Sequence, residues 1–113
     1  MDIATTPEPP YTAVIFTSQR VAAEPGDGYG ETAERMEALV RNRDGYLGHE
    51  SARGDVGITV SYWRTPDDAR AWKHEAEHLV AQRLGRSRWY ADYRVRIATV
   101  HRDYGPPDDR PGA

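Results

Sequence analysis

Two histidines four residues apart on a helix can share a metal ion, and His74-Glu75-Ala76-Glu77-His78 has that spacing. The stretch fits the H-E-x-x-H pattern of zinc hydrolases, in which the glutamate acts as base. Its surroundings argue the other way: no Gly stands at the third position after His78, no further His follows it at metal-ligating spacing, and only 35 residues remain to build a cleft. With the apolar stripe of this helix centred near Trp72 and Ala76, a turn of about 100° per residue puts His74 nearly opposite the core and His78 only slightly nearer. Both are expected on a solvated or pocket-rim face beside Lys73, Glu75 and Glu77, and no metal is expected. Arg86-Ser87-Arg88 could hold a phosphate, but no Gly-rich loop beside a helix start accompanies it. Zero Cys excludes disulfides, thiolate metal sites and Cys nucleophiles.

The elements that must position such residues follow from periodicity. Tyr11 to Ser18 is β-branched and aromatic and reads as a strand. Pro25-Gly26-Asp27-Gly28 breaks it, and Tyr29, Ala33, Met36, Leu39 and Val40 carry the 3-4 spacing of an amphipathic helix. Asn42-Arg43-Asp44-Gly45 ends that helix. Tyr46 to Ser51 and Ile58 to Trp63 are strands separated by the turn signal Arg53-Gly54-Asp55-Val56-Gly57. Thr65 suits a helix N-cap, Pro66 the first helical position, and Asp67 and Asp68 the positive helix end. The stripe of this second helix is Ala69, Trp72, Ala76, Leu79 and Val80, with Arg83 on the same side and Gly85 as stop. Trp89 and Tyr90 fall in a connection, and Tyr93 to His101 is the last strand. The order is β-α-β-β-α-β: an α+β, ferredoxin-like split motif with a four-stranded antiparallel sheet.

At 113 residues the chain is expected to form one domain over residues 11–104, with Pro- and acid-rich tails at 1–10 and 105–113 that read as disordered. Leu, Ile, Val and Phe number only 17, so the core is thin, although three Trp and seven Tyr add buriable surface. The first strand is apolar on both faces, yet two helices cover only one face of such a sheet. A second copy packed against the other face is the expected cover, making a homodimer. No window offers the roughly 20 apolar residues of a membrane span, so no membrane partner is expected. The N-terminus has Asp2 and Glu8 and no basic region, so it does not read as a secretory signal, and the chain reads as cytoplasmic. A net charge of −3 makes it a poor nucleic-acid binder.

Gly45-Tyr46-Leu47-Gly48-His49-Glu50-Ser51, Gly57 to Trp63, Ala71-Trp72-Lys73 and Ala76-Glu77-His78 resemble the antibiotic biosynthesis monooxygenase (ABM) domain family. The likeness spans about Tyr11 to Tyr104. It implies a homodimeric α+β barrel with a pocket between helices and sheet, and either cofactor-free oxygenation of polyketide-like phenols or haem degradation.

Haem-degrading members use a helix His as axial ligand with a strand Trp and a first-strand Asn. Here Trp63 and His74 or His78 are present, but Thr17, Ser18 and Gln19 stand where the Asn would be, so haem is the lesser expectation. Cofactor-free oxygenation requires a flat aromatic site, a proton acceptor and donors for the resulting anion, with O₂ as co-substrate. The resemblance makes Trp63 the pocket tryptophan. The expected catalytic group is Trp63, Arg83, His49 and Tyr62, with His49 or Tyr62 as base and Arg83 holding phenolate charge. Phe16, Trp72, His78, Arg86 and Trp89 are the expected substrate-binding residues. The competing expectation is a non-catalytic dimeric binding or stress-response protein using the same pocket.

Overall fold

The computed structural model describes residues 2–22, 26–84 and 89–107, without the side chains of 81–84. Its elements are β1 (Tyr11–Arg20), α1 (Tyr29–Val40), β2 (Tyr46–Arg53), β3 (Gly57–Trp63), α2 (Pro66–Leu84) and β4 (Tyr90–Val100). The four strands form one antiparallel sheet in the order β2-β3-β1-β4. This is the ferredoxin-like arrangement, with both helices laid on one face. Among the described residues no helix is long and apolar enough to cross a membrane.

Local chemistry accounts for the boundaries. Thr65 Oγ1 accepts the Asp68 N–H at 3.1 Å and donates to Asp68 Oδ2 at 2.8 Å, so α2 opens on a capped first turn. Gly45 turns the chain into β2 at φ +77°, and any Cβ there would meet the Asp68 carboxylate at 2.1 Å. Its carbonyl accepts the Arg64 N–H at 2.8 Å, tying the start of β2 to the end of β3. At α1 the cap is Gly28, and Asp27 Oδ1 accepts the Tyr29 N–H at 3.0 Å. Gly85, the expected stop of α2, lies outside the described residues. The last strand begins at Tyr90, three residues earlier than expected, because Trp89 is pinned to the end of β1: its carbonyl accepts the Val21 N–H at 3.0 Å.

The register sorts β1 into two faces. Thr12, Val14, Phe16 and Ser18 stand on the helix side with Trp63, Ser61, Thr59 and Gly57 of β3. There Val40, Trp63 and Ala69 form the core, with Val14, Tyr46 and Trp72 against it. The outer face carries Tyr11, Ala13, Ile15, Val60 and Tyr62, with Ile58 44% exposed. Residues of the N-terminal segment lie on this outer face. The Ala4 N–H donates to Glu50 Oε2 at 3.0 Å, and Thr6 Oγ1 donates to the Tyr11 hydroxyl at 3.1 Å.

Candidate functional site

Between the helices and the sheet lies an open cleft of about 960 Å³. Its floor is the helix side of the sheet and its roof the facing stripes of α1 and α2, including Met36, Trp72 and Val80. The stripe spacing read from the sequence is what turns these apolar side chains inward. At the Trp63 end Val40 and Ala69 of the helices pack directly on the sheet, and the cleft lies beyond them.

The structure brings four of the expected residues to this cleft: Phe16, His49, Trp72 and Trp89. His49 arrives there through a β-bulge. With a period of two, Tyr46 and His49 of β2 would stand on opposite faces. The register shifts between Tyr46 and Gly48, where Gly48 takes φ +146°, so Tyr46 opposes Trp63 and His49 opposes Ser61, both on the helix side. The Tyr46 hydroxyl and His49 Nδ1 form a hydrogen bond. Burial pushes the Tyr46 phenol above its ordinary range, so it stays a neutral partner.

Other expected residues stand elsewhere. Trp63 is fully buried in the core and stacks on Trp72, with ring centroids 6.2 Å apart at 24°. Its indole N–H donates to Ser61 Oγ at 2.9 Å and so is committed within β3. The docking of α2, through Ala69 and Trp72, seals it from the cleft. Tyr62 alternates onto the outer face, where its hydroxyl donates to Glu50 Oε1 at 2.7 Å. Burial, then the Glu50 contact, pushes that phenol up to about 12, far from a base working at neutral pH. His78 is exposed on α2 and is not part of the cleft lining, and His74 is exposed beside it. Arg83 lies within α2, but its side chain is outside the described residues, as is the whole of Arg86. Among the described residues no three His, Cys, Asp or Glu are grouped to hold a metal ion. His74 and His78, the helix histidines that the resemblance would place on haem, are outside the cleft lining.

At the far end of the cleft the expected Phe16 and Trp89 are joined by Tyr29, Tyr90, Arg20 and Arg53, which were not among the expected site residues. Trp89 is 3% exposed, and its N–H donates to the Asp27 carbonyl at 2.8 Å. Tyr29 meets it edge-on at 5.6 Å, and Phe16 meets Tyr90 edge-on at 5.3 Å. The Arg20 guanidinium lies 3.5 Å from the Tyr29 ring centroid and pairs with Asp27 at 3.1 Å. Burial, reinforced by a hydrogen bond with Tyr29, raises the Tyr90 phenol well above its ordinary range. Arg53 closes this end from β2. One signal could have found it: Arg53 is two strand periods beyond His49, hence on the same face.

Similarity to other proteins is clear in sequence for one relative and in fold for several. The chain is 52% identical over 102 residues to the uncharacterized protein YqjZ of Bacillus subtilis (strain 168), a match covering 88% of each. Its structure is similar to that of SnoaB, a cofactor-independent oxygenase from Streptomyces nogalater, with a TM-score of 0.60 and 12% identity over 88% of this chain and 99% of that one. It is also similar to a heme-degrading protein from Mycobacterium tuberculosis, with a TM-score of 0.54 and 18% identity over 85% and 98% of the two chains. At these identities the two structures show a common ABM-like fold. No family model matches the chain.

Proposed function

From the premise that this chain belongs to the family of the Bacillus subtilis protein YqjZ, we propose that it is a cofactor-independent monooxygenase of an aromatic or quinonoid metabolite. The observation that carries this reading is His49, the one imidazole among the described residues lining a cleft of about 960 Å³ whose walls include Phe16, Tyr29, Trp72 and Trp89. In the tautomer whose Nδ1–H donates to the Tyr46 oxygen, Nε2 keeps its lone pair and takes the phenolic proton of a substrate lying between Phe16 and Trp72. The phenolate then gives an electron to O₂. For an anthrone-like substrate, one oxygen atom replaces the two hydrogens of the reacting carbon as a carbonyl, and the other leaves as water. The substrate supplies every electron. The fold shared with a cofactor-independent oxygenase supports the same reading. The test is oxygen uptake with dihydroxyanthracene- or anthrone-like phenols in the presence of a chelator. Wild type is expected to turn over, and His49→Gln to lose about a hundredfold with its fold intact. Turnover unchanged in His49→Gln, or appearing only with added haem or flavin, overturns the proposal.

The outer face of the sheet is proposed to pair with a second copy. Ile15, Ile58 and Val60 form an apolar strip on it beside Arg94 and Arg96 of β4, and no helix covers it among the described residues. Light scattering at micromolar concentration is expected to give twice the chain mass of 12.7 kDa; a mass of one chain rejects the pairing.

A further inference from the structure

Arg53 ends β2 at the sheet edge, yet its guanidinium lies across the neighbouring strand. A Cβ built on Gly57 of β3 would fall 2.2 Å from Arg53 Nη2 and 2.3 Å from its Cζ, so the guanidinium rests on bare backbone that only glycine leaves open. Beyond Gly57 it reaches β1, where Nη2 donates to Ser18 Oγ at 2.8 Å. Gly57 opposes both Arg53 and Ser18 in the sheet register, so the side chain runs along one rung on the cleft side. The buried Ser18 hydroxyl anchors one donor of the fork, and among the described residues the other N–H groups remain for a ligand.

Charge separates Arg53 from its neighbours. Arg20 is paired with Asp27, and Lys73 on the cleft roof with Glu77. The remaining acids on the cleft are also occupied: Glu37 holds Arg41, and Asp92 Oδ1 accepts the Tyr93 N–H. Among the described residues no carboxylate forms an ion pair with Arg53. A guanidinium stays charged at every physiological pH and presents a planar fork matched to a carboxylate. His49 stands four residues back on the same face of β2, about 13 Å away along the strand. Phe16 and Tyr90 lie on the floor toward Arg53.

We infer that Arg53, set by Gly57 and Ser18, is the anion-holding residue of the cleft, and that its ligand is an aromatic carboxylic acid. The carboxylate docks on the guanidinium, and the ring system extends toward His49. This inference rests on the cleft being the substrate site, but not on any oxygen chemistry. Binding is therefore measured directly, by calorimetry, with 2-naphthoate and its uncharged isostere 2-naphthamide. Wild type is expected to favour naphthoate by about tenfold to a hundredfold, the range of a charged hydrogen bond. Arg53→Gln should abolish that preference and leave naphthamide unchanged. Gly57→Ala should do the same with no charge removed, because the atoms nearest the new methyl belong to the movable end of Arg53. Equal binding of the two ligands by wild type, or a preference surviving both substitutions, overturns the inference alone. If neither ligand binds wild type, the cleft reading falls and this inference with it.

Discussion

Two tryptophans flank the cleft from opposite ends of the sheet, and they are held in different ways. Trp63, opposite Thr12 near the start of β1, is sealed under α2 with Val40 and Ala69, and its N–H is satisfied two residues away by Ser61. Trp89, next to the Arg20–Tyr90 pair at the other end of β1, is as deeply buried, but its N–H reaches the Asp27 carbonyl 62 residues away. The first end is dry and closed by apolar packing. The second is built from aromatic edges, two arginines and hydroxyls around Tyr29 and Tyr90, and among the described residues it stays open. The difference teaches that an aromatic-rich chain with few aliphatic residues can close one end of a helix-on-sheet interface and spend its other aromatics on a binding wall.

The largest expected effect is at the dry end. Trp63→Ala should cost about 3 to 5 kcal/mol of unfolding free energy, since little neighbouring core exists to collapse into the void. Urea denaturation of wild type and variant measures it, and a cost below about 1 kcal/mol would show that this end is not the core. At the open end, Trp89→Phe keeps a ring but leaves the Asp27 carbonyl without its indole donor. The expected cost is about 1 kcal/mol in the same assay, with a clear loss of 2-naphthoate affinity. A variant that binds normally would detach Trp89 from the ligand wall.

The smallest effect distinguishes the two ends by pH. Both Tyr46 and Tyr90 have phenols raised by burial, Tyr90 the more strongly. Above pH of about 10 unfolded tyrosines lose their protons while these folded ones keep theirs, so the unfolded state binds fewer protons and stability falls as pH rises. The slope of unfolding free energy against pH above that point should flatten more in Tyr90→Phe than in Tyr46→Phe. Equal slopes would place both phenols in similar surroundings.

The elements were legible because their signals are local. Thr65, Pro66 and Asp68 mark the start of α2 by chemistry within one turn, and Gly45 marks a turn that only a residue free at positive φ allows. The site was legible in part. Phe16 and Trp72 follow from strand alternation and the helical stripe. His49 reached the cleft by a route that alternation does not show, because the bulge at Gly48 changes the phase of β2.

Trp63 and Tyr62 show where local reading stops. Both sit at the end of one strand, and their environments depend on what packs over each face. The amino-acid sequence by itself determined the order of strands and helices, the thin aliphatic content and the apolar faces, since these depend on residue type and spacing along the chain. Only the tertiary structure decided that Trp63 is core rather than cleft, that Tyr29 and Tyr90 gather beside Trp89, and that Arg53 lies over Gly57 to reach Ser18. Those outcomes rest on contacts between strands and helices far apart in sequence, whose geometry is set by docking and register rather than by any local preference.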